Sequence, residues 1–402
     1  MFHGARIPGW GLALLLVAAG AQAQNGADPE AAYVAKFQEH YKKVADPPGL
    51  QAYATVQRYD ELYLGESLDK ALKKVDNDKG GLAWGLSYRM MSLNDLYKIT
   101  GDRKYLDAQL RIIRAALAAT DDKRGKQLWN GRVVAAWGCD LYAERGRAIF
   151  AVHTGIICGP IFDFLGHAKG HAAFRDSLGA EFDVIVKGAS DALAVHDRQW
   201  RDGPAPAEGH YIGMDQENVL ENKPLPGNRL SAMGWALWSS WKITGNTTHR
   251  DRALAIGRYI KNRLTPSPDG AYYWPYWLPE QPVSGPQPRE AVKGEDVSHA
   301  GLTMQIVNVL AADREVFTAE DLQRLARTVL SGFGQRTDGV LGGCVTGLSG
   351  DPSHAASPAK WIFLGEANPD VRERIVAFYL NYVPVPGPLD IARLLLSTAP
   401  EH

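Results

Sequence analysis

A helical hairpin that occurs twice is the feature of this sequence that most constrains its fold. The segment KITGD at residues 98–102 is repeated as KITGN at residues 242–246, 144 positions later. In both copies an apolar pattern with helical spacing precedes the turn, and a charged amphipathic pattern follows it. The glycine suits the left-handed conformation that commonly ends a helix. The offset corresponds to three units of about 48 residues, which is typical of a stacked or closed array of paired helices.

Further pairs of helices are predicted before, between and after these two copies. They are residues 29–44 with 50–75, 147–165 with 172–195, 299–312 with 319–333, and 358–364 with the helices that begin near 370 and 389. Thr318 is placed to cap the helix that follows it. No segment alternates with the period of two that strands require. We therefore predict an all-α fold, an (α/α) toroid of six or seven hairpins, complete or incomplete, in one domain spanning residues 24–402.

Four long connections separate the predicted hairpins, at residues 129–145, 200–228, 272–298 and 336–357, and they are rich in aromatic residues, glycine and proline. Their length, together with the long and irregular repeat, disfavours the alternative of an open helical solenoid. If the hairpins alternate outer and inner helices, all four connections emerge on one face. Loops gathered on one side of a rigid scaffold are where binding sites usually lie.

The N-terminus has the pattern of a signal peptide. Arg6 provides a positive charge, residues 10–19 form an apolar run too short to span a bilayer, and Ala21-Gln22-Ala23 fits a cleavage site. No second long apolar run follows. We therefore predict that residues 1–23 are removed to leave a periplasmic or secreted protein without stable membrane insertion.

Charge balance and cysteine spacing argue against several classes of protein. The formal net charge of −1 gives no basic excess for nucleic-acid binding. Cys139, Cys158 and Cys344 form neither a disulfide framework nor a zinc pattern. One disulfide stays open as an alternative, and burial as small apolar side chains is favoured. The chain also lacks the motifs of serine hydrolases, zinc proteases, P-loop enzymes and dinucleotide-binding proteins.

Two segments in the second half of the chain carry the strongest candidates for chemistry. In residues 294–301 (GEDVSHAG), Asp296 or Ser298 can cap a helix, which would place His299 in its first turn at the mouth of the toroid. There His299 can act as a base, as a ligand of an anion or as a structural donor. Residues 271–277 (AYYWPYW) hold five aromatic rings, which either stack on sugar rings or pack as a plug.

Two earlier segments add further candidates. Arg145 and Arg147 precede a helix, where positive charge is unfavourable for the helix dipole and contact with an anion is favoured instead. His153 follows on an apolar helix, where a core position and a position in the cleft are equally open. Asn228 can cap its helix or bind a carboxylate through its amide. Lys360, in the last long loop, is a weaker candidate.

These segments resemble the α/α-toroid proteins around the glucuronan and alginate lyases and the C-terminal domain of glucuronyl C5-epimerases. The resemblance is carried by residues 228–234, 244–246, 273–277 and 295–300. Pro275 between the aromatic residues departs from the family pattern and leaves the catalytic tyrosine unassigned. The resemblance implies a toroid and a polysaccharide lyase that cleaves a uronic-acid polymer such as alginate or glucuronan by β-elimination, with no metal or cofactor required.

The reaction that the resemblance implies needs three groups. One neutralises the uronate carboxylate, a base removes the neighbouring C5 proton, and an acid protonates the leaving oxygen. His299 or His153 is the candidate base, and a tyrosine is the candidate base or acid. A tyrosine base requires nearby positive charge, because the pKa of free tyrosine is about 10; Arg145 or Arg147 would supply it.

The candidate residues divide into two sets. The predicted catalytic residues are His299, His153, Tyr276, Tyr273 and Asn228. The predicted substrate-binding residues are Tyr142, Arg145, Arg147, Tyr211, Trp274, Trp277 and Glu295. The predicted partner is an anionic polysaccharide or oligosaccharide.

Three other functions fit many of the same residues. A C5-epimerase would use the same site and return the proton from the other face of the sugar. A glycoside hydrolase would need two carboxylates, for which Asp215, Glu217, Glu295 and Asp296 are the candidates. A sugar-binding protein without activity would need the aromatic residues alone.

Overall fold

The computed structural model describes residues 28–214 and 221–399. The predicted signal peptide, Asp215 and Glu217 lie outside this part of the chain. The α-helices are α1 (Pro29–His40), α2 (Leu50–Tyr53), α3 (Val56–Tyr63), α4 (Glu66–Leu72), α5 (Ser87–Thr100), α6 (Arg103–Ala118), α7 (Asp121–Arg124), α8 (Ala151–Gly170), α9 (Ala172–Leu178), α10 (Glu181–Ala194), α11 (Gly227–Thr244), α12 (Thr247–Lys261), α13 (Val297–Ala312), α14 (Ala319–Arg327), α15 (Pro369–Tyr382) and α16 (Pro388–Leu396).

Shorter elements lie between the α-helices. Two antiparallel strand pairs, β1 (Trp200–Asp202) with β2 (Gly209–Tyr211) and β3 (Thr265–Pro266) with β4 (Tyr272–Tyr273), lie in or beside the long connections. The π-helical segments are Leu82–Leu86 and Thr328–Phe333. The 3₁₀ helices are Asp197–Gln199, Arg289–Ala291, Pro352–Ala355 and Pro358–Glu366.

The two repeated hairpins form as the sequence predicts. α5 ends at Gly101, whose φ of 65° is left-handed, and the Asp102 side chain accepts a hydrogen bond from the Lys104 N–H to cap α6. α11 ends in the same way at Gly245, with φ of 73°, and Asn246 caps α12. Glycine adopts this conformation without the penalty that a Cβ would bring.

Six helical segments form a closed inner ring. α5 packs against α8, α8 against α11, α11 against α13, α13 against the 3₁₀ helix Pro358–Glu366, that helix against α16, and α16 against α5. An outer layer of α3, α6, α10, α12, α14 and α15 packs on the ring. The described residues therefore form an all-α toroid of six inner and six outer segments, and the predicted fold is confirmed.

The largest contact between two helices of the inner ring, α8 with α11, depends on a close approach of their backbones. Most residues of α8 and α11 are buried, as expected for helices that are covered on every side. A Cβ on Gly155 of α8 would lie 2.5 Å from the Ala232 carbonyl carbon of α11, so only glycine fits there without a shift. The two helices thus pack with their backbones almost in contact.

The two ends of the described chain complete the ring. The Tyr53 and Tyr63 hydroxyls, from the N-terminal helices, donate to the carbonyl oxygens of Val383 and Pro386, both at 2.5 Å. Cys139, Cys158 and Cys344 are all free thiols. Among the described residues, no helix combines the length and apolar character that crossing a bilayer requires.

Candidate active site

A cavity of about 580 Å³ opens at the end of the toroid where the inner helices begin. Helix N-termini carry partial positive charge, and several of them meet here, which favours an anion. The lining residues are Lys79, Gly80, Gly81, Trp84, Gly85, Tyr88, Tyr142, Phe150, Val152, His153, Asn228, Arg229, Tyr276, Ser298, His299, Leu302 and Lys360.

His299 is held at this mouth by Asp296, the cap of α13. One Asp296 oxygen accepts from the His299 backbone N–H at 3.0 Å and from the Ser298 hydroxyl at 2.6 Å, and the other lies 2.5 Å from His299 Nδ1. Burial alone would raise the pKa of Asp296, but the hydrogen bonds and charge of His299 outweigh it and lower the pKa to about 2. An ionised carboxylate only accepts, so Nδ1 carries a hydrogen, and in the neutral form of the imidazole Nε2 has a lone pair. Nε2 can therefore act as a base.

Tyr276 lies against His299, with ring centroids 5.2 Å apart. Burial raises the pKa of the Tyr276 hydroxyl, and the positive charge and hydrogen bond of Arg229 oppose this rise. The tyrosine therefore holds its proton at neutral pH and can donate it. His299 and Tyr276 together place a base and an acid on one wall of the cavity.

His153 is the centre of a second aromatic group, which Trp84, Tyr142 and Phe150 surround with ring centroids 5.1, 6.0 and 5.2 Å from the imidazole. Burial, and to a lesser degree the charge of Arg229, lowers the pKa of His153 to about 3. His153 is therefore neutral at physiological pH. It lies on α8 and His299 on α13, and α11 separates these two helices in the ring.

Asn228 lies on α11, between the two histidine groups. Its side chain is almost fully buried, and its Oδ1 atom has no hydrogen-bond partner among the described residues. A buried polar atom without a partner costs stability, so it is expected to bind a ligand or a water molecule. The cavity is thus built to receive a polar group at this point.

Positive side chains dominate the charge of the cavity. Lys79, Arg229 and Lys360 are its lysine and arginine residues, and no aspartate or glutamate is among the lining residues that the structure describes. Lys360 Nζ lies 3.4 Å from the Tyr88 hydroxyl and 4.6 Å from the centroid of its ring. An anionic ligand would complement these charges.

Three predicted site residues lie in the core instead of the cavity. The Tyr273 hydroxyl donates to Asp269 at 3.0 Å, and Trp274 Nε1 donates to Glu295 at 2.5 Å. Tyr273, Trp274 and Glu295 are all fully buried, and burial raises the pKa of Glu295 well above its usual range. β4 directs this segment into the core, and among residues 273–277 only Tyr276, beyond Pro275, lines the cavity.

Four more predicted residues are not among the cavity lining. Arg147 is buried and pairs with Asp121, Asp140 and Asp78 at 2.6–3.0 Å, so its charge is already neutralised. Arg145 lies over the ring of Trp129 and near Glu221. Tyr211 is buried and packs on Trp200, and Trp277 is exposed beside Tyr276.

Sequence reasoning missed one group of cavity residues, Lys79, Trp84 and Tyr88. They lie around the π-helical segment Leu82–Leu86, which directly precedes α5. The signal that could have found them is the Gly80-Gly81 pair next to a lysine, because Gly80 has a left-handed φ of 76°. The remaining predicted residues, His299, His153, Tyr276, Asn228 and Tyr142, share the cavity, and their chemical roles stay predictions.

The sequence matches no protein-family model and no curated protein. Similar solved structures exist at low identity. The α-1,6-mannanase GH76A from Salegentibacter sp. HEL1_6 is 11% identical, with 92% of this chain and 98% of that chain covered and a TM-score of 0.49. The Lin0763 protein from Listeria innocua is 10% identical, with 92% and 96% covered and a TM-score of 0.46. A D-mannose isomerase is 14% identical, with 92% and 97% covered and a TM-score of 0.44.

The prediction that this protein is a polysaccharide lyase is wrong. The named activities among these structures belong to a mannanase, which is a hydrolase, and to an isomerase. The resemblance behind the prediction used residues 273–277 and 295–300, and Tyr273, Trp274 and Glu295 are buried away from the cavity. The class that the fold and the cavity define is an α/α toroid with a cationic pocket at one mouth.

Proposed function

We propose that this protein is a carbohydrate-active enzyme that binds an anionic sugar in the cavity and moves a proton at a sugar carbon, as a uronate epimerase does. The single observation that carries the proposal is the Asp296–His299 pair beside Tyr276, in a cavity with a cationic lining. This arrangement supplies a base and charge complementarity within one space, and Tyr142 of the His153 group is the candidate acid. Aromatic residues such as Trp84 and Tyr142, both well exposed, suit the apolar faces of a sugar ring.

The cations of the cavity support a sugar acid as the substrate class. A uronate carboxylate facing Arg229 or Lys360 would have its charge offset. The proton on the neighbouring carbon is then easier to remove, because the negative charge that develops spreads onto a neutralised carboxylate. Asn228, with its unpaired Oδ1, would accept a hydrogen bond from a sugar hydroxyl.

The proton would move in two balanced steps. His299 Nε2 takes the C5 proton, and the electron pair of the broken C–H bond is held as an enolate on the carboxylate. A tyrosine hydroxyl of the His153 group, Tyr142, then returns a proton to C5 from the other face, and solvent restores both side chains. Burial raises the pKa of Tyr142, which keeps that proton in place until it is needed.

Deuterium exchange tests this proposal directly. Alginate and glucuronan are incubated with the protein in deuterium oxide, and NMR follows deuterium incorporation at C5. We expect incorporation without loss of chain length. His299→Gln should lower the rate by about 10²–10⁴-fold, the usual contribution of a general base. Absence of exchange with every uronate polymer would contradict the proposal.

Matched variants separate chemistry from folding in this experiment. His40→Gln changes an exposed histidine at the end of α1, far along the chain from the cavity residues, and should keep full activity. Tyr142→Phe should slow exchange, because it removes the hydroxyl that returns a proton to C5, whereas Tyr272→Phe, which removes a hydroxyl bonded to Asp321, should not. Equal loss in both members of a pair would point to destabilisation instead of catalysis.

Hydrolysis of a glycosidic bond is the second candidate function. Asp296, which holds His299 at the mouth without lining the cavity itself, is ionised and is the candidate for the ionised member of the carboxyl pair that glycoside hydrolases use. Asp215 and Glu217 are the candidates for the second group. New reducing ends without deuterium at carbon, lost in Asp215→Asn or Glu217→Gln, would favour this function over epimerisation.

A further inference from the structure

The amide of Asn77 touches the second histidine of the cavity from the side of the core. Asn77 is almost fully buried, in the segment between α4 and the π-helical turn Leu82–Leu86. Its Nδ2 lies 3.1 Å from His153 Nδ1 and 3.2 Å from the carbonyl oxygen of Trp137. Its Oδ1 accepts from the Ala83 backbone N–H at 3.1 Å.

The neighbours of Asn77 leave its amide only one orientation. The Ala83 N–H can only donate, so the atom that faces it must be the oxygen. The Trp137 carbonyl can only accept, so the atom that faces it must be the nitrogen. One amide hydrogen of Asn77 is donated to the Trp137 carbonyl oxygen. The other points at His153 Nδ1, so Nδ1 must offer a lone pair. The proton of the neutral imidazole is therefore on Nε2.

We infer that Asn77 is a positioning residue that keeps His153 as a permanently neutral hydrogen-bond donor, with Nε2–H available to an acceptor oxygen of the ligand. A second proton on His153 would set Nδ1–H against the Asn77 amide hydrogen, and burial opposes the charge as well. His153 then cannot be the base, because its only lone pair is occupied by Asn77. This inference rests on the proposed function only for the identity of the ligand.

The two histidines of the cavity are consequently opposite tautomers. His299 donates through Nδ1 to a carboxylate and presents a lone pair at Nε2, whereas His153 accepts at Nδ1 from an amide and presents a hydrogen at Nε2. One imidazole can take a proton and the other can only bind an acceptor. The hydrogen-bond partner of each Nδ1 atom therefore determines whether the imidazole can act as a base or only as a donor.

Long-range ¹H–¹⁵N NMR of the histidine side chains in the full chain tests the inference. The His153 signals are assigned by their loss in His153→Gln, and spectra are recorded from about pH 5 to pH 8, around the histidine reference pKa. We expect His153 to stay neutral and protonated on Nε2 throughout. A His153 that titrates in this range, or that carries its proton on Nδ1, would overturn the inference.

Asn77→Asp is the decisive variant. A carboxylate at this position accepts a hydrogen bond, so it should move the proton to Nδ1 and raise the pKa of His153 into the measured range. Asn94→Asp, a matched change at a buried amide that instead donates to the Pro160 carbonyl oxygen, should leave the His153 signals unchanged. An unchanged tautomer in folded Asn77→Asp would also overturn the inference.

A binding experiment with D-glucuronate as the probe tests the donor role of His153. At the upper end of the pH range, where the His153 ring of Asn77→Asp is neutral with its proton on Nδ1, wild-type protein should bind the probe with a shift of the His153 Nε2–H signal. Asn77→Asp should then bind it about 10–100-fold more weakly, the range for a lost hydrogen bond to a charged group. Binding without any shift at His153 overturns the donor role. Failure of the wild type to bind the probe, with the tautomer as expected, counts against the sugar-acid substrate and not against the action of Asn77.

Discussion

At the scale of single residues, environment decides what each histidine of this protein can do. His299 is well exposed and held by an ionised carboxylate, whereas His153 is enclosed by three aromatic rings and the amide of Asn77. Burial also lowers the pKa of His196 and His167, to about 4 in each case. The folded structure therefore holds these buried imidazole rings in their neutral form.

The neutral state of His153 predicts a dependence of stability on pH. Its pKa is about 3 in the folded protein and near 6.5 in an unfolded chain, so between these values the unfolded chain binds one more proton. The stabilisation is complete above about pH 6.5 and is lost at about 1.4 kcal/mol per pH unit as the pH falls toward 3. His153→Gln should therefore lose less stability than the wild type on acidification, measured by urea unfolding between about pH 7 and pH 4.

The other buried histidines contribute to the same acid sensitivity, so the quantity to compare is the difference between wild type and variant. His40→Gln serves as the control, because this exposed residue should leave the pH profile parallel to that of the wild type. Parallel profiles for His153→Gln as well would show that His153 is not held neutral by the fold.

At the scale of elements, the cavity depends on how closely inner helices pack. α8 carries His153 and α11 carries Asn228. The two helices approach closely because Gly155 places no Cβ between their backbones. A Cβ on Gly159 would lie 2.7 Å from the Trp235 ring, so the contact is tight along the next turn as well. A shift between these helices would move both side chains of the cavity.

Two glycines of α8 provide a matched pair of variants. Gly155→Ala forces a Cβ into the α11 backbone and should lower the free energy of unfolding by about 1–3 kcal/mol or more. In Gly166→Ala the Cβ meets only Ile243 Cδ1 at 3.8 Å, an ordinary contact, so the change should be neutral or stabilising by up to about 1 kcal/mol. Denaturant unfolding measures both, and an equal effect of the two would contradict the close packing of α8 on α11.

At the scale of the whole molecule, stability depends on ring closure between distant parts of the chain. α16, the last inner helix, packs against α5, the first. Arg393 Nε of α16 lies 2.7 Å from Asp95 Oδ2 of α5, and both side chains are more than nine-tenths buried. The contact is an ion pair without an aligned hydrogen bond, since neither atom has a hydrogen-bond partner among the described residues.

Breaking this ion pair should weaken the whole ring. Arg393→Ala leaves the Asp95 charge buried and unpaired, which should cost about 3–5 kcal/mol in the free energy of unfolding. Lys187→Ala, which breaks an exposed pair with Asp191, should cost less than about 1 kcal/mol. Urea unfolding compares the two, and a similar small cost for both would show that closure does not depend on the buried pair.

The sequence by itself determined the parts of this protein that depend on neighbours a few residues apart. The hairpin turns at Gly101 and Gly245, the cap at Thr318 and the position of His299 in the first turn of α13 all rest on hydrogen bonds that span two to five residues. Helical periodicity indicates which faces are buried without knowledge of the partner helix. For this reason the toroid and one wall of the cavity were predictable.

Only the tertiary structure decided which charges and rings face the cavity. Arg147 and Arg229 are both arginines beside a helix N-terminus, yet Arg147 is neutralised by Asp121, 26 positions away, and Arg229 lines the cavity. Asn77 and His153 meet across 76 positions. Such pairings depend on how the helices pack around the ring, which brings segments distant in the chain together. No spacing in the sequence encodes them, and the prediction of a polysaccharide lyase, which the family resemblance implied, was wrong.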